Sequence, residues 1–202
     1  MWDQTKPVRL ALIAAFLTAA LVPGAWAADM IDGLAPISPQ PQAGQLQPGL
    51  AVTYYFHIFN HVNEVIEFAK SNPGQKGAPI LALDYKVGSG PILTSGRTNG
   101  IGAAISGLIR FPATGLYRMV VQSNDGVRIT IDSQIVLSDP DVHADRFSKI
   151  IPVRIDTPGW YPISVDYFER RNTATLRLYW LPPMTRGGLR YVPADNLAHL
   201  PD

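Results

Sequence analysis

"SNDGVRITID", Ser123 to Asp132, sets the architecture of the chain. Its second half alternates, with Val127, Ile129 and Ile131 set against Arg128, Thr130 and Asp132. A period of two turns one set of side chains to each face of a strand, so the apolar set marks a core face. The residues just before it do the same: Tyr117, Met119 and Val121 alternate with Arg118, Val120 and Gln122. Between the two runs sits Asn124-Asp125-Gly126, made of residues that tolerate tight-turn geometry. The stretch therefore reads as two strands joined by a polar turn. Asp125 then has two readings. It caps the hairpin as an Asx-type turn, or it is presented by a binding loop at the edge of a sandwich.

The same alternation recurs further along the chain. Ile151, Val153 and Ile155 form one run. Tyr161, Ile163, Val165 and Tyr167 form another, and Ala174, Leu176, Leu178 and Trp180 a third. Turn signals separate them: "PATG", "DTPG", "ERRN" and "PPMTRGG". Several short strands with turns at this spacing predict an all-β antiparallel sandwich or barrel. "LAVTYYF", from Leu50, opens the ordered domain as a strand. The exception is "NHVNEVIEFAK", Asn60 to Lys70, where Val62, Val65, Ile66 and Ala69 share a helical face. Asn60 is placed to cap its start, and Ser71-Asn72-Pro73-Gly74 to stop it. The spacing predicts one short helix.

The first 27 residues read as a signal peptide. Lys6 and Arg9 precede an apolar run from Leu10 to Val22, followed by Ala25-Trp26-Ala27. Such a run, about 13 residues, is short of the roughly 18 a spanning helix needs, and the A-x-A pattern predicts cleavage after Ala27. No transmembrane segment is then expected in the mature chain, which is read as secreted or periplasmic. Residues 28–48, rich in Pro, Gln and Gly, read as an extended linker or arm. Residues 49–202 form the β domain. Export without a single cysteine means no disulfides, so the fold rests on its core.

The chain is 47% hydrophobic and 16% charged, with a formal charge of +1. That balance is globular, and no dense Lys/Arg run suggests a nucleic-acid partner. Loss of Lys6, Arg9 and Asp3 with the signal segment would leave the formal charge at zero.

"GLIRFPATGLYRMVVQSNDGVRITIDSQIVL", Gly107 to Leu137, resembles the centre of PA14 domains. "PGWYPISVDYFERRNTATLRLYW", Pro158 to Trp180, is similar to the next block of that family, "YVPADNLAHL" to its closing segment and "GLAVTYYF" to its opening one. The resemblance implies a β-sandwich or β-barrel module of exported proteins such as adhesins, glycosidases and toxins. In the adhesins two adjacent Asp residues joined by a cis peptide bind Ca²⁺, and the ion binds sugar hydroxyls. That pair maps onto Asn124 and Asp125, so one acid is replaced by a neutral amide. The second loop of such a site maps onto "FERRNT". It offers Glu169 and Asn172 as further Ca²⁺ ligands beside the cations Arg170 and Arg171, which suit an anionic sugar or a partner's carboxylates.

The expected ligand site is thus Asn124, Asp125, Arg170, Arg171 and Asn172, with Trp160 as an aromatic platform. Asn124, Asp125, Glu169 and Asn172 are the candidate metal ligands. Two other constellations are weaker. "DPDVHAD", Asp139 to Asp145, imitates the start of an EF-hand loop but has Ala144 where Gly belongs and Ile150 where Glu belongs. His57 and His61 stand four apart, with no Glu after the first. No Gly-x-Ser-x-Gly elbow exists, and nothing singles out a catalytic carboxylate pair. The chain reads as a non-catalytic carbohydrate-binding module. The alternative is a structural or protein-interaction module of an envelope complex, without a sugar or metal site.

Overall fold

The computed structural model describes residues 30–201, so the expected signal segment lies outside the described residues. In chain order the elements are β1 (Gln47–Pro48), β2 (Ala51–Phe56), α1 (Val62–Ser71), β3 (Gln75–Lys76), β4 (Asp84–Val87), β5 (Ile101–Phe111), β6 (Gly115–Asn124) and β7 (Val127–Ile131). There follow β8 (Gln134–Asp139), β9 (Arg146–Phe147), β10 (Ile151–Ile155), β11 (Gly159–Glu169), β12 (Ala174–Leu181), β13 (Arg190–Tyr191) and β14 (Leu197–His199).

Among these residues the strands form two antiparallel sheets. One runs β1-β14-β5-β11-β7-β8, with β2 also pairing β5 and β3 pairing β2. The other runs β10-β6-β12-β13, with β4 against β12 and β9 against β6. The strand runs read from the sequence thus all form, and they pack as a sandwich. Their inner faces are the apolar sets identified by alternation. Tyr117, Met119, Val121, Ile129, Val165, Leu176 and Leu178 are fully buried, and Ile163 nearly so. At one end Phe111, Tyr117, Tyr161 and Trp180 pack ring against ring, with centroids 4.9 to 5.8 Å apart. Such offset and edge-on pairs add to plain area burial.

The helix begins one residue later than the sequence suggests. His61, not Asn60, is the N-cap, and its Nδ1 accepts the N–H of Asn63 at 3.0 Å. Asn60 instead donates its backbone N–H to Oε2 of Glu64 at 2.8 Å. The helix lies on the outer face of the larger sheet, where Val62, Val65 and Phe68 pack with Tyr55, Phe59 and Phe168. Gly102 of β5 makes that approach possible: a Cβ there would come within 2.7 Å of Phe59 and 2.9 Å of Val65. His57 stacks on Phe68 at 5.3 Å. The two histidines thus serve packing and capping.

The Pro-rich segment is an arm laid across both sheets. Ile31 bridges Val153 of β10, while Ala35 N–H donates to Oδ2 of Asp132 at 2.7 Å. Ile37 N–H then donates to Trp160 O at 2.9 Å, and Gln40 bonds both the N–H and the C=O of Trp160. Its end becomes β1, paired with β14.

Candidate functional site

The turn between β6 and β7 and the loop between β11 and β12 meet at one end of the sandwich. Register explains why. β11 pairs with β7 from Ile163↔Ile131 to Tyr167↔Val127, and β12 pairs with β6 from Leu181↔Arg118 to Thr175↔Asn124. The two connections therefore leave the two sheets at the same end. Three bonds tie the turn to the end of β11: Asp125 N–H to Phe168 O at 3.2 Å, Phe168 N–H to Gly126 O at 3.0 Å, and Tyr167 O–H to Asn124 O at 2.5 Å. The Asn124-Asp125 peptide is cis. Gly126 is required at close quarters, because a Cβ would meet Phe168 at 2.4 Å and the Pro140 carbonyl at 2.5 Å.

Asp125 is the organising side chain. It is 4% exposed. Its Oδ2 accepts Arg170 N–H at 2.8 Å, and its Oδ1 accepts His143 N–H at 3.2 Å. One carboxylate thus ties the β6–β7 turn to the β11–β12 loop and to the loop between β8 and β9. Burial pushes its pKa above the ordinary value, and the two N–H bonds pull it back only in part. Asn124 donates Nδ2–H to Oγ1 of Thr173 at 2.7 Å. The β11–β12 loop is also held from behind. Asn172, at φ 77°, donates its N–H to Oδ1 of Asn99 at 2.7 Å.

These residues enclose an open pocket of about 400 Å³, lined by Asn124, Asp125, Val142, His143, Ala144 and the run Arg170-Arg171-Asn172-Thr173. Five of the six expected ligand-site residues are brought together there. Trp160 is not. It stands at the opposite end of β11, about 30 Å away at the rise of a strand, and lines a separate apolar groove with Leu46, Leu81 and Leu197. Glu169 does not line the pocket either. It is fully buried, its Oε2 accepts Gly100 N–H at 3.1 Å, and its Oε1 has no hydrogen-bond partner. Burial raises its pKa from 4.5 to about 7, the Gly100 N–H opposing and the Asp125 charge adding to the rise.

Sequence reasoning passed over Thr173 and the backbone of His143. Strand alternation carries no signal for either, since both enter through loops that meet only in space. Two of the three "DPDVHAD" acids, Asp139 and Asp145, are engaged in pairs. Asp139 holds Arg146 in a two-pronged pair, with Nε–Oδ2 at 2.7 Å, and His143 Nε2 lies 3.3 Å from Asp139 Oδ2. Asp145 pairs with Lys86 at 2.5 Å and accepts from Thr175 at 2.8 Å.

The donor set is poor in the carboxylates that a resident Ca²⁺ favours. Ca²⁺ takes six to eight oxygens, with carboxylates dominant. Asp125 is the single acid lining the pocket, and both its oxygens already accept backbone N–H groups. Glu169 turns inward, and two guanidinium side chains share the lining. Among the described residues no three His, Asp or Glu side chains are grouped to hold a metal. Likewise, none of the helices there is long and apolar enough to cross a membrane.

No curated protein sequence gives a significant match. Solved structures do. The PA14 domain of MpAFP antifreeze protein superposes with a TM-score of 0.65 at 14% identity, over 82% of this chain and 96% of that one. A PA14 sugar-binding domain from an RTX adhesin gives 0.57 at 18% identity, over 75% and 98%. The A domain of Epithelial Adhesin 9 from Candida glabrata, in complex with Galβ1-3GlcNAc, gives 0.60 at 13% identity, over 80% and 93%. At these identities the likeness is one of fold. The family model described as the PA14 domain matches residues 84–188, which span β4 to the approach of β13 and leave α1 outside. With that match extending over more than half of its length, the chain belongs to the PA14 domain family.

Proposed function

We propose that this chain is a non-catalytic carbohydrate-binding module, with the pocket between the Asn124-Asp125 turn and the Arg170–Thr173 loop as its glycan site. The observation that carries the reading is the convergence of three connections on one open pocket, pinned by a single buried carboxylate. Rigid loops on a sandwich end are where this kind of module can vary its ligand without altering its core. Asn124, Asn172 and Thr173 supply amide and hydroxyl groups of the type that bond sugar hydroxyls, and Val142 and Ala144 supply apolar surface for sugar C–H groups. Sugar-binding adhesin domains among the structures of similar fold support the same reading.

All of these contacts use the chain's own groups, and none runs through a metal. The test is a glycan array, run with and without chelator, on wild type and Asp125→Ala. Binding by wild type that survives chelation and is lost in the variant is the expected result. An array silent for wild type would overturn the reading.

A further inference from the structure

The pocket holds more positive charge than the protein itself uses. Lys86 is paired with Asp145, Arg146 with Asp139, and Arg128 donates to Oδ1 of Asn63 at 2.6 Å. Arg170 and Arg171 line the pocket and, among the described residues, enter no salt bridge. Arg171 is exposed. The Nε of Arg170 is buried with no hydrogen-bond partner, an arrangement that native proteins rarely leave standing without an acceptor.

None of the surrounding acids supplies that acceptor. Asp125 spends both oxygens on backbone N–H groups, Asp139 and Asp145 are paired, and Glu169 faces Gly100. Asp141, exposed on the neighbouring loop, does not line the pocket. Two guanidiniums outside any salt bridge, set beside amide and hydroxyl groups, complement a sugar that carries its own anion. Guanidinium forks match carboxylate and sulfate oxygens in bidentate geometry.

Resting on the glycan reading above, we propose that the ligand is an acidic glycan, whose carboxylate or sulfate ester seats against the guanidinium groups of Arg170 and Arg171. The amides and hydroxyl of Asn124, Asn172 and Thr173 read the ring hydroxyls, and the arginines read the charge. A charge-assisted bond at a partly dry site is enough for a preference of about tenfold over a neutral sugar of the same ring. Because Arg171 is exposed, that preference weakens at high salt.

The experiment is isothermal titration of the full chain with three probes of equal length: a neutral oligogalactan, an oligogalacturonate, and a sulfated oligogalactan without carboxylates. The expected result is binding of at least one acidic probe about tenfold tighter than the neutral one. Arg170→Gln with Arg171→Gln should erase that preference. Arg171→Gln alone, at an exposed position, should weaken the acidic probe about threefold, so a folding defect from the buried Nε does not block the test. Which acidic probe wins distinguishes carboxylate from sulfate. Equal binding of neutral and acidic probes, or a preference that survives both substitutions, overturns the acidic ligand and leaves the glycan site standing. Binding of none of the three, with an acidic protein bound instead, overturns both.

Discussion

Arg170 donates its backbone N–H to Oδ2 of Asp125 at 2.8 Å, across 45 residues of chain, while its side chain lines the same pocket. The backbone of one residue thus fixes the loop, and its guanidinium faces what the loop receives. On the glycan reading proposed above, ligand affinity and local order are coupled at Asp125.

Asp125→Ala should separate the two. It removes an acceptor from two N–H groups, at a cost of about 1–3 kcal/mol for buried donors left unpaired. The sandwich core is untouched, so the variant should keep its far-UV spectrum while its urea midpoint falls and glycan binding disappears. Unchanged stability would mean that the loop bonds carry no weight in solution.

Asn124→Asp restores the acid that the two-acid adhesin pattern has at this position. Wild type should show no heat on calcium titration, since its pocket offers one engaged carboxylate. The variant should acquire a measurable calcium heat, because it adds a formal charge beside Asp125. Calcium binding of equal strength in both proteins would refute the donor-set reading.

Glu169 makes stability depend on pH. Its carboxyl holds a proton up to about pH 7 in the folded chain, against an ordinary value of 4.5. Between those values the folded state binds more protons than the unfolded one. Stability therefore falls as pH rises through the window and levels off above it. Asp125 and Asp166 are also pushed up by burial and add slope of the same sign at lower pH. The decisive readout is thus the difference between wild type and Glu169→Gln, whose midpoint should vary less from pH 5 to 7. Parallel curves would remove Glu169 as the source.

Leu178→Ala tests the core. Leu178 is fully buried on β12, opposite Val121 of β6. Truncation should cost about 2–5 kcal/mol. A loss below about half a kilocalorie per mole would mean that the cavity closes over.

The sandwich was legible because alternation is a local property. Val127, Ile129 and Ile131 declare their face without reference to any other strand. The helix was legible from Val62 and Val65, but not its first turn. Either Asn60 or His61 suits a cap by composition, and only tertiary position chose. The site was half legible. Asn124, Asp125, Arg170, Arg171 and Asn172 sit in turns that polar residues announce. Trp160 follows such a turn as the second residue of β11, but nothing in the sequence says which end of the sandwich that turn occupies. The inward turn of Glu169 was there to be read, since it continues the buried face of Tyr161, Ile163, Val165 and Tyr167. The arm was read as extended, and its docking depends on backbone groups that have no sequence signature.

β10 is the outermost strand of its sheet, and a bare outermost strand invites a second chain to continue the ladder. Here Ile31 of the arm takes the vacant positions itself, its N–H donating to Pro152 O at 2.9 Å and its C=O accepting Arg154 N–H at 2.8 Å. Pro152, which accepts the first of those bonds, has no amide hydrogen to offer. A neighbouring molecule therefore finds little on this side to template against. The stretch that reads as a tether thus covers the open side of a sheet.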